Sequence, residues 1–289
     1  MLASMSEMLK KAQAGRYAIA NFDIWNNEML FGVMNAVEKT KSPVILAFGS
    51  GFTDNTDIYY YAKMLVERAR HSPMPIAIHW DHGRNMEIIQ NAIRCGFNSI
   101  MIDASAQEFE ENIRISKEVV DYCKIIGVPV EAELGHIGPE TEYEELLSHY
   151  KYTDPDMAAE FVERTGIDCL ATAIGNAHGV YTSEPQINLD ILRQVRDKVE
   201  IPLVLHGASG ISDADVKKSI EIGISKINIH TELCQAAMSA YAANPDKPYL
   251  KLQQDVIAAI EARATEKLEL FGSCGHGEKA SDLQIVPTR

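Results

Sequence analysis

Three histidines in this chain, His82, His178 and His206, each close an apolar run and each stand directly before a glycine. Imidazole is the commonest metal ligand near neutral pH. Three such nitrogens on one rim, with a position left open, form the catalytic pattern for zinc. A lone histidine at a strand end is more often a hydrogen-bonded structural residue. The repetition favours a site, because Gly83, Gly179 and Gly207 let the backbone turn tightly and leave room for a ligand. Asp81 stands beside His82 in "HWDHG" (79–83). In an extended chain it projects to a different side from its neighbour, so it can enter the pocket without ligating the same ion. A carboxyl there suits general acid–base work; the plainer alternative is a partner that orients an imidazole. His79 reads as structural.

These residues need a scaffold, and the hydropathy pattern supplies one. Apolar, β-branched runs occur at 17–24, 43–50, 75–83, 99–105, 129–135, 169–175, 202–210 and 225–232. Amphipathic stretches with helix punctuation lie between them. "NNEMLFGVMNAVEKT" places Met29, Val33, Ala36 and Val37 on one face. "TDPDMAAEFVERTG" has Asp154 as N-cap, Pro155 in the first turn and Gly166 as a stop, and Ser212 and Gly223 repeat the device. Near-continuous apolar strands that alternate with helices imply a parallel sheet covered by helices. Eight such units in 289 residues fit a single (β/α)8 TIM barrel, for which about 250 residues is typical. The chain reads as one domain over 1–289, with a mobile tail at 276–289. The long loop 135–153 reads as a lid.

Chemistry in such a barrel sits at the carboxyl ends of the strands. Polar residues gather there: His79, Asp81 and His82, then Asp103, then Glu131 and Glu133, then Asn176 and His178, then His206, and finally Asn228, His230 and Thr231. The loops after strands seven and eight often bind phosphate. "HGASG" offers the small Gly207 and Ala208 and the hydroxyl of Ser209, and Thr231 adds another. Lys226 falls at the beginning of strand eight, the end away from the chemistry, which argues against an imine-forming lysine.

Composition narrows the partners. The net charge of −14 argues against nucleic acid or an anionic membrane, though not against a phosphorylated ligand held by backbone amides or a metal. Five scattered cysteines without a CxxC pair indicate free thiols in a reducing compartment. The N-terminus lacks a signal-peptide pattern, and no apolar run approaches the ~20 residues of a membrane helix. The expectation is a soluble cytoplasmic protein.

The motifs "HWDHG", "EAELG", "YTDP", "AIGNAHGVY", "LHGASG" and "KINIHTEL" occur in an order and spacing that resembles the class II, zinc-dependent ketose-phosphate aldolases. That family includes the fructose-bisphosphate and tagatose-bisphosphate enzymes. The resemblance spans about residues 2–275 and looks closest to a tagatose-type branch acting on longer or acidic ketose 1-phosphates. It implies one Zn2+ per subunit on His82, His178 and His206, with Asp81 as acid and base. Asp103 and Glu133 would surround the metal. Gly179, Gly207, Ser209, Asn228 and Thr231 would surround dihydroxyacetone phosphate, and a monovalent cation (Na+ or K+) would lie near Gly179 and Gly207. It further implies a phosphorylated sugar substrate and a homodimer or homotetramer.

The chain departs from the family pattern in three places. The loop reads "GPETE" where many relatives have "GGxED", so Thr141 aligns with the usual glutamate base. Glu140, or else Glu142, takes that role. Asp23 stands where relatives often have Asn. His230 replaces an Asp, Asn or Ala and alters what meets the substrate's phosphate end or hydroxyls. Trp80 is either a wall of the aldehyde pocket or core packing. Two rival readings are a metal-dependent barrel hydrolase, which would usually need an HxH pair in the first strand, and a non-catalytic accessory subunit.

Overall fold

The computed structural model describes residues 1–135, 137, 152–181 and 183–277. Eight strands run β1 (Ile19–Asp23), β2 (Val44–Gly49), β3 (Ile76–Gly83), β4 (Ser99–Ile102), β5 (Val130–Leu134), β6 (Cys169–Thr172), β7 (Leu203–Leu205) and β8 (Ile224–Ile229). Each pairs in parallel with the next. β1 also pairs with β8, with Ala20 opposite Ile227, so the sheet closes into a barrel. This is the (β/α)8 architecture expected from the sequence.

The outer layer follows from amphipathic periodicity and capping. The helices are α1 (Met5–Gly15), α2 (Asn27–Thr40), α3 (Ile58–His71), α4 (Met86–Cys95) and α5 (Phe109–Ile126), then α6 (Pro155–Thr165), α7 (Leu189–Lys198), α8 (Asp213–Ile222), α9 (Thr231–Ala243) and α10 (Tyr249–Leu270). In α2 the buried face carries Met29, Leu30, Val33, Met34, Ala36 and Val37, and Asn26 caps it by accepting from the Met29 amide. Asp154 caps α6 through the amides of Asp156 and Met157, and Gly166 ends it in the left-handed conformation. Ser212 does the same for α8 through the Asp215 amide at 3.1 Å.

The barrel interior is closed from the end at which the strands begin. Met5, Met8, Leu9 and Ala12 of α1 cluster with Ile19, Ile45, Ala77, Cys169 and Val204, early residues of their strands. Each such buried aliphatic side chain contributes roughly 1.5–3 kcal/mol relative to exposure. With that end sealed by packing, the carboxyl end is left for polar groups.

Four strand ends differ from the sequence reading by three residues or more. The runs ending at 105, 175, 210 and 232 overshoot, because β4, β6, β7 and β8 stop at Ile102, Thr172, Leu205 and Ile229. The polar and glycine residues beyond those points leave the sheet and form the rim. The expected tail from 276 begins with two residues that make contacts. His276 stacks on Tyr17 at 3.9 Å, and the Gly277 amide donates to the Lys41 carbonyl at 2.7 Å. The rest of that tail, and most of the proposed lid, lie outside the described residues. No described helix is long and apolar enough to cross a membrane.

Candidate active site

The geometry at the rim begins with a backbone irregularity in β3. The β3–β4 register shifts between Trp80 and Gly83, and His82 adopts φ +49°, a left-handed conformation that costs a non-glycine residue about 1–3 kcal/mol. Regular alternation would send Asp81 and His82 to opposite faces. With the bulge, both line one cavity of about 190 Å3. Gly83 is required beneath it, because a Cβ there would lie 2.4 Å from Ile89 and 2.8 Å from the Met101 carbonyl.

His82, His178 and His206 meet above this bulge, with ring nitrogens within 4.8 Å of one another. One nitrogen of each is committed outward. His82 Nδ1 donates to Asp103 Oδ2 at 2.9 Å, His178 Nδ1 to the Ile137 carbonyl at 3.1 Å, and His206 Nε2 to Glu131 Oε1 at 2.7 Å. The other nitrogens face inward: His206 Nδ1 is 3.2 Å from His82 Nε2, and His178 Nε2 is buried with no hydrogen-bond partner. Outer partners that fix tautomer and ring orientation, with free inner nitrogens, are what a metal-binding histidine set requires. The donor set therefore fits a divalent ion that prefers imidazole. Asp103 and Glu133 form a second possible group with His82. Glu133 Oε1 accepts from the Ile137 amide at 3.1 Å, while its Oε2 is buried and unpartnered.

Charge is distributed unevenly over the site. Burial alone would push Asp81 up, but His82, His206 and Lys226 outweigh it and hold the carboxyl at about 2. Burial and the nearby Asp103 push Glu133 up to about 8. Burial disfavours charge on His82 as well, yet Asp81 and the hydrogen bond to Asp103 raise it to about 10. Burial and the neighbouring His82 lower His178 to about 4. Burial and the Asp81 charge push Asp23 well above the usual carboxylate range.

Asp81 is 3 % exposed, and its Oδ2 accepts from Asn228 Nδ2 at 3.1 Å. Behind it runs a buried network in which Lys226 Nζ lies 2.9 Å from Glu131 Oε2 and 2.8 Å from Asn228 Oδ1. This corrects the reading of Lys226 as remote from the chemistry: its stem runs inside the barrel and its head sits beneath the site. Glu131 and Asp81 outweigh the effect of burial and raise its pKa, so the amine stays charged and is no imine-forming nucleophile. His79 lies in the same layer, fully buried, with Nδ1 3.1 Å from Ser99 Oγ.

The cavity is lined by Asp23 and Phe52 on the β1–β2 side and by Gly179, Gly207, Ser209, Asn228, His230 and Thr231 on the β6–β8 side. Gly207 has φ +58°, and a Cβ there would stand 2.0 Å from the Ala177 carbonyl oxygen. Its carbonyl accepts from Tyr181 Oη at 2.9 Å, and that oxygen in turn accepts from the Ala177 amide at 2.7 Å. Thr231 opens α9, where the Glu232 amide donates to Ser209 Oγ at 3.4 Å and the Leu233 amide to the His230 carbonyl at 3.0 Å. Ala208 is not brought to the cavity; its methyl, 2 % exposed, packs in the core. Trp80 is packing too, edge-on to Phe97 at 5.3 Å. Glu140 and Glu142 lie outside the described residues. Sequence reading missed the roles of Glu131 and the Ile137 carbonyl, and the stack of Trp25 and Phe52 on His230.

A closed parallel barrel with three inward imidazoles and a buried acid at its carboxyl rim fits a TIM-barrel enzyme that could hold a metal ion there. The chain matches the sequence profile of the class-II fructose-bisphosphate aldolases over residues 3–276, and it belongs to that family of carbon–carbon lyases. It is 59 % identical over 278 residues to the protein YdjI of Escherichia coli K12, covering 96 % of this chain and 100 % of that one. It is 40 % identical over 286 residues to the fructose-bisphosphate aldolase of Geobacillus stearothermophilus, covering 95 % and 98 %. The crystal structure of the E. coli K12 YdjI aldolase superimposes with a TM-score of 0.89 at 54 % identity, covering 96 % of this chain and 100 % of that one.

Proposed function

We propose that the protein catalyses reversible aldol cleavage of a ketose 1-phosphate, or bisphosphate, to dihydroxyacetone phosphate and an aldehyde. A single Zn2+ per subunit would be held by His82, His178 and His206. The observation that carries this reading is the division of labour in those rings, each with an outward nitrogen engaged and an inward nitrogen available beside Asp81. Bound there, zinc supplies Lewis-acid polarisation of the ketose carbonyl and offsets the charge that C3–C4 cleavage leaves on the C2 oxygen.

The chain's own groups do the rest. Asp81, held ionised, takes the proton of the C4 hydroxyl during cleavage and returns it to the aldehyde oxygen during condensation. Asn228 fixes the Asp81 carboxylate through its 3.1 Å hydrogen bond. Asp103 orients His82, and Glu133 stands beside that pair. Gly179, Gly207, Ser209 and Thr231 receive the phosphate beside the opening turn of α9, where the helix dipole favours an anion. A monovalent cation, Na+ or K+, sits near Gly179 and Gly207. Exchange of the C1 proton of the three-carbon fragment needs a separate base, for which Glu140 is the choice and Glu142 the alternative.

We place the enzyme in a tagatose-type branch acting on longer or acidic ketose 1-phosphates, as a cytoplasmic homodimer or homotetramer whose single domain spans 1–289. Release of dihydroxyacetone phosphate from a panel of ketose 1-phosphates, followed by coupled reduction with and without a chelator, tests the assignment. Release abolished by chelation and restored by zinc is the expected result. Undiminished release from thoroughly metal-stripped protein contradicts it.

A further inference from the structure

The cavity has a polar corner that the reaction above leaves unused. Asp23, the last residue of β1, places its Oδ2 3.8 Å from Nδ1 of His230. That separation is too long for a direct hydrogen bond. His230 Nδ1 is nonetheless buried and has no hydrogen-bond partner.

The imidazole is not free to look elsewhere. Phe52 stacks on it at 5.2 Å with planes 13° apart, and Trp25 covers it at 5.1 Å. Trp25 and Phe52 stack on each other at 4.7 Å. On the far edge, His230 Nε2 is 3.6 Å from Cys234 Sγ. The ring is held with Nδ1 turned to Asp23, and both residues line the cavity that holds Asp81.

Two features fix the chemistry of a group that fits this corner. A single hydroxyl can accept from one member of the pair and donate to the other, bridging a gap of this size. A phosphate dianion in this corner would face the ionised Asp81, and among the described residues no Lys or Arg lines the cavity to offset it. Position adds a third constraint, which rests on the proposed aldolase reading. A substrate anchored by phosphate after β7 and β8, and reacting beside Asp81 at the end of β3, extends its remaining carbons toward Asp23 and Phe52 at the ends of β1 and β2.

We propose that Asp23 and His230 are a specificity-determining pair. They bind a hydroxyl on the aldehyde-derived half of the substrate, so that the enzyme takes a polyhydroxy aldehyde there in place of a phosphorylated one.

The test is a set of ratios measured within each protein. Condensation of dihydroxyacetone phosphate is followed with glyceraldehyde, with propionaldehyde, which lacks the hydroxyls, and with glyceraldehyde 3-phosphate. The wild type is expected to favour glyceraldehyde by about 100-fold or more in kcat/KM over propionaldehyde, as sites built to hydrogen-bond a hydroxyl do. It is also expected to favour glyceraldehyde by at least about tenfold over glyceraldehyde 3-phosphate. Asp23→Ala, His230→Ala and the milder His230→Gln each shrink the first ratio by about tenfold or more. Asp23→Asn, which keeps a polar group of the same shape, lowers the first ratio less than Asp23→Ala does. Ratios unchanged within about twofold in all four variants overturn the proposal, as does equal use of the phosphorylated aldehyde by the wild type. Wild-type protein that exchanges the C1 proton of dihydroxyacetone phosphate but condenses with no aldehyde also contradicts the pair. Wild-type protein without that exchange contradicts the aldolase reading itself.

Discussion

His82 Nε2 lies 3.2 Å from His206 Nδ1, while the opposite nitrogen of each ring is tied to a carboxylate, Asp103 for one and Glu131 for the other. Two imidazoles with their free edges together, each steered from behind, are a pair arranged around something they share.

Removing the third ring tests that arrangement. His178→Ala should lower bound zinc to well under one equivalent after dialysis and reduce cleavage by about a thousandfold or more, since two imidazoles hold zinc poorly. Metal analysis of the purified variant gives the answer, and full zinc content would remove His178 from the ligand set.

The outward partners should affect affinity and not identity. Asp103→Asn is expected to weaken metal binding by about 10–100-fold, with much of the activity recovered at saturating zinc. Titration against a competing chelator reads this. An unchanged dissociation constant would mean that Asp103 does not orient His82.

Asp81→Ala should separate binding from chemistry, keeping zinc while cleavage falls by about 10²–10⁴-fold. Loss of metal together with activity would make Asp81 a support for the imidazoles and not the acid.

The raised pKa of His82 sets a pH dependence with a definite sign. Its value of about 10 in the metal-free protein stands above the ordinary 6.5. The associated stability is complete below about pH 6.5 and is lost as pH rises through about 10. Asp81 at about 2 acts in the opposite sense, losing its contribution only as pH falls from 3.8 through 2, so it does not bend the same window. Thermal melts in chelator should therefore show a falling Tm from pH 7 to 10, with a shallower fall in His82→Gln. A parallel fall in both proteins would assign the effect to another group.

Much of this was legible in the chain. Eight apolar β-branched runs separated by capped amphipathic segments leave little besides a barrel, and repeated His-Gly pairs at their ends mark the rim. What escaped reading depends on contacts between distant segments. Glu131 meets His206 across 75 positions, and the Ile137 carbonyl meets His178 across 41, with no local pattern to announce either. The left-handed His82 reverses the facing that strand alternation dictates. Lys226 was placed by its position along β8, whereas its long stem decides where the charge ends up. Ala208 shared a motif with Ser209, yet its methyl turns into the core.

The most direct test is exchange of the C1 proton of dihydroxyacetone phosphate with deuterated water, followed by NMR with and without a chelator. This half-reaction needs the metal, the phosphate site and the loop base, and it does not depend on the aldehyde. The account predicts exchange in zinc-loaded protein that stops on chelation and returns with zinc. Zinc-loaded, folded protein that exchanges no faster than buffer would contradict it.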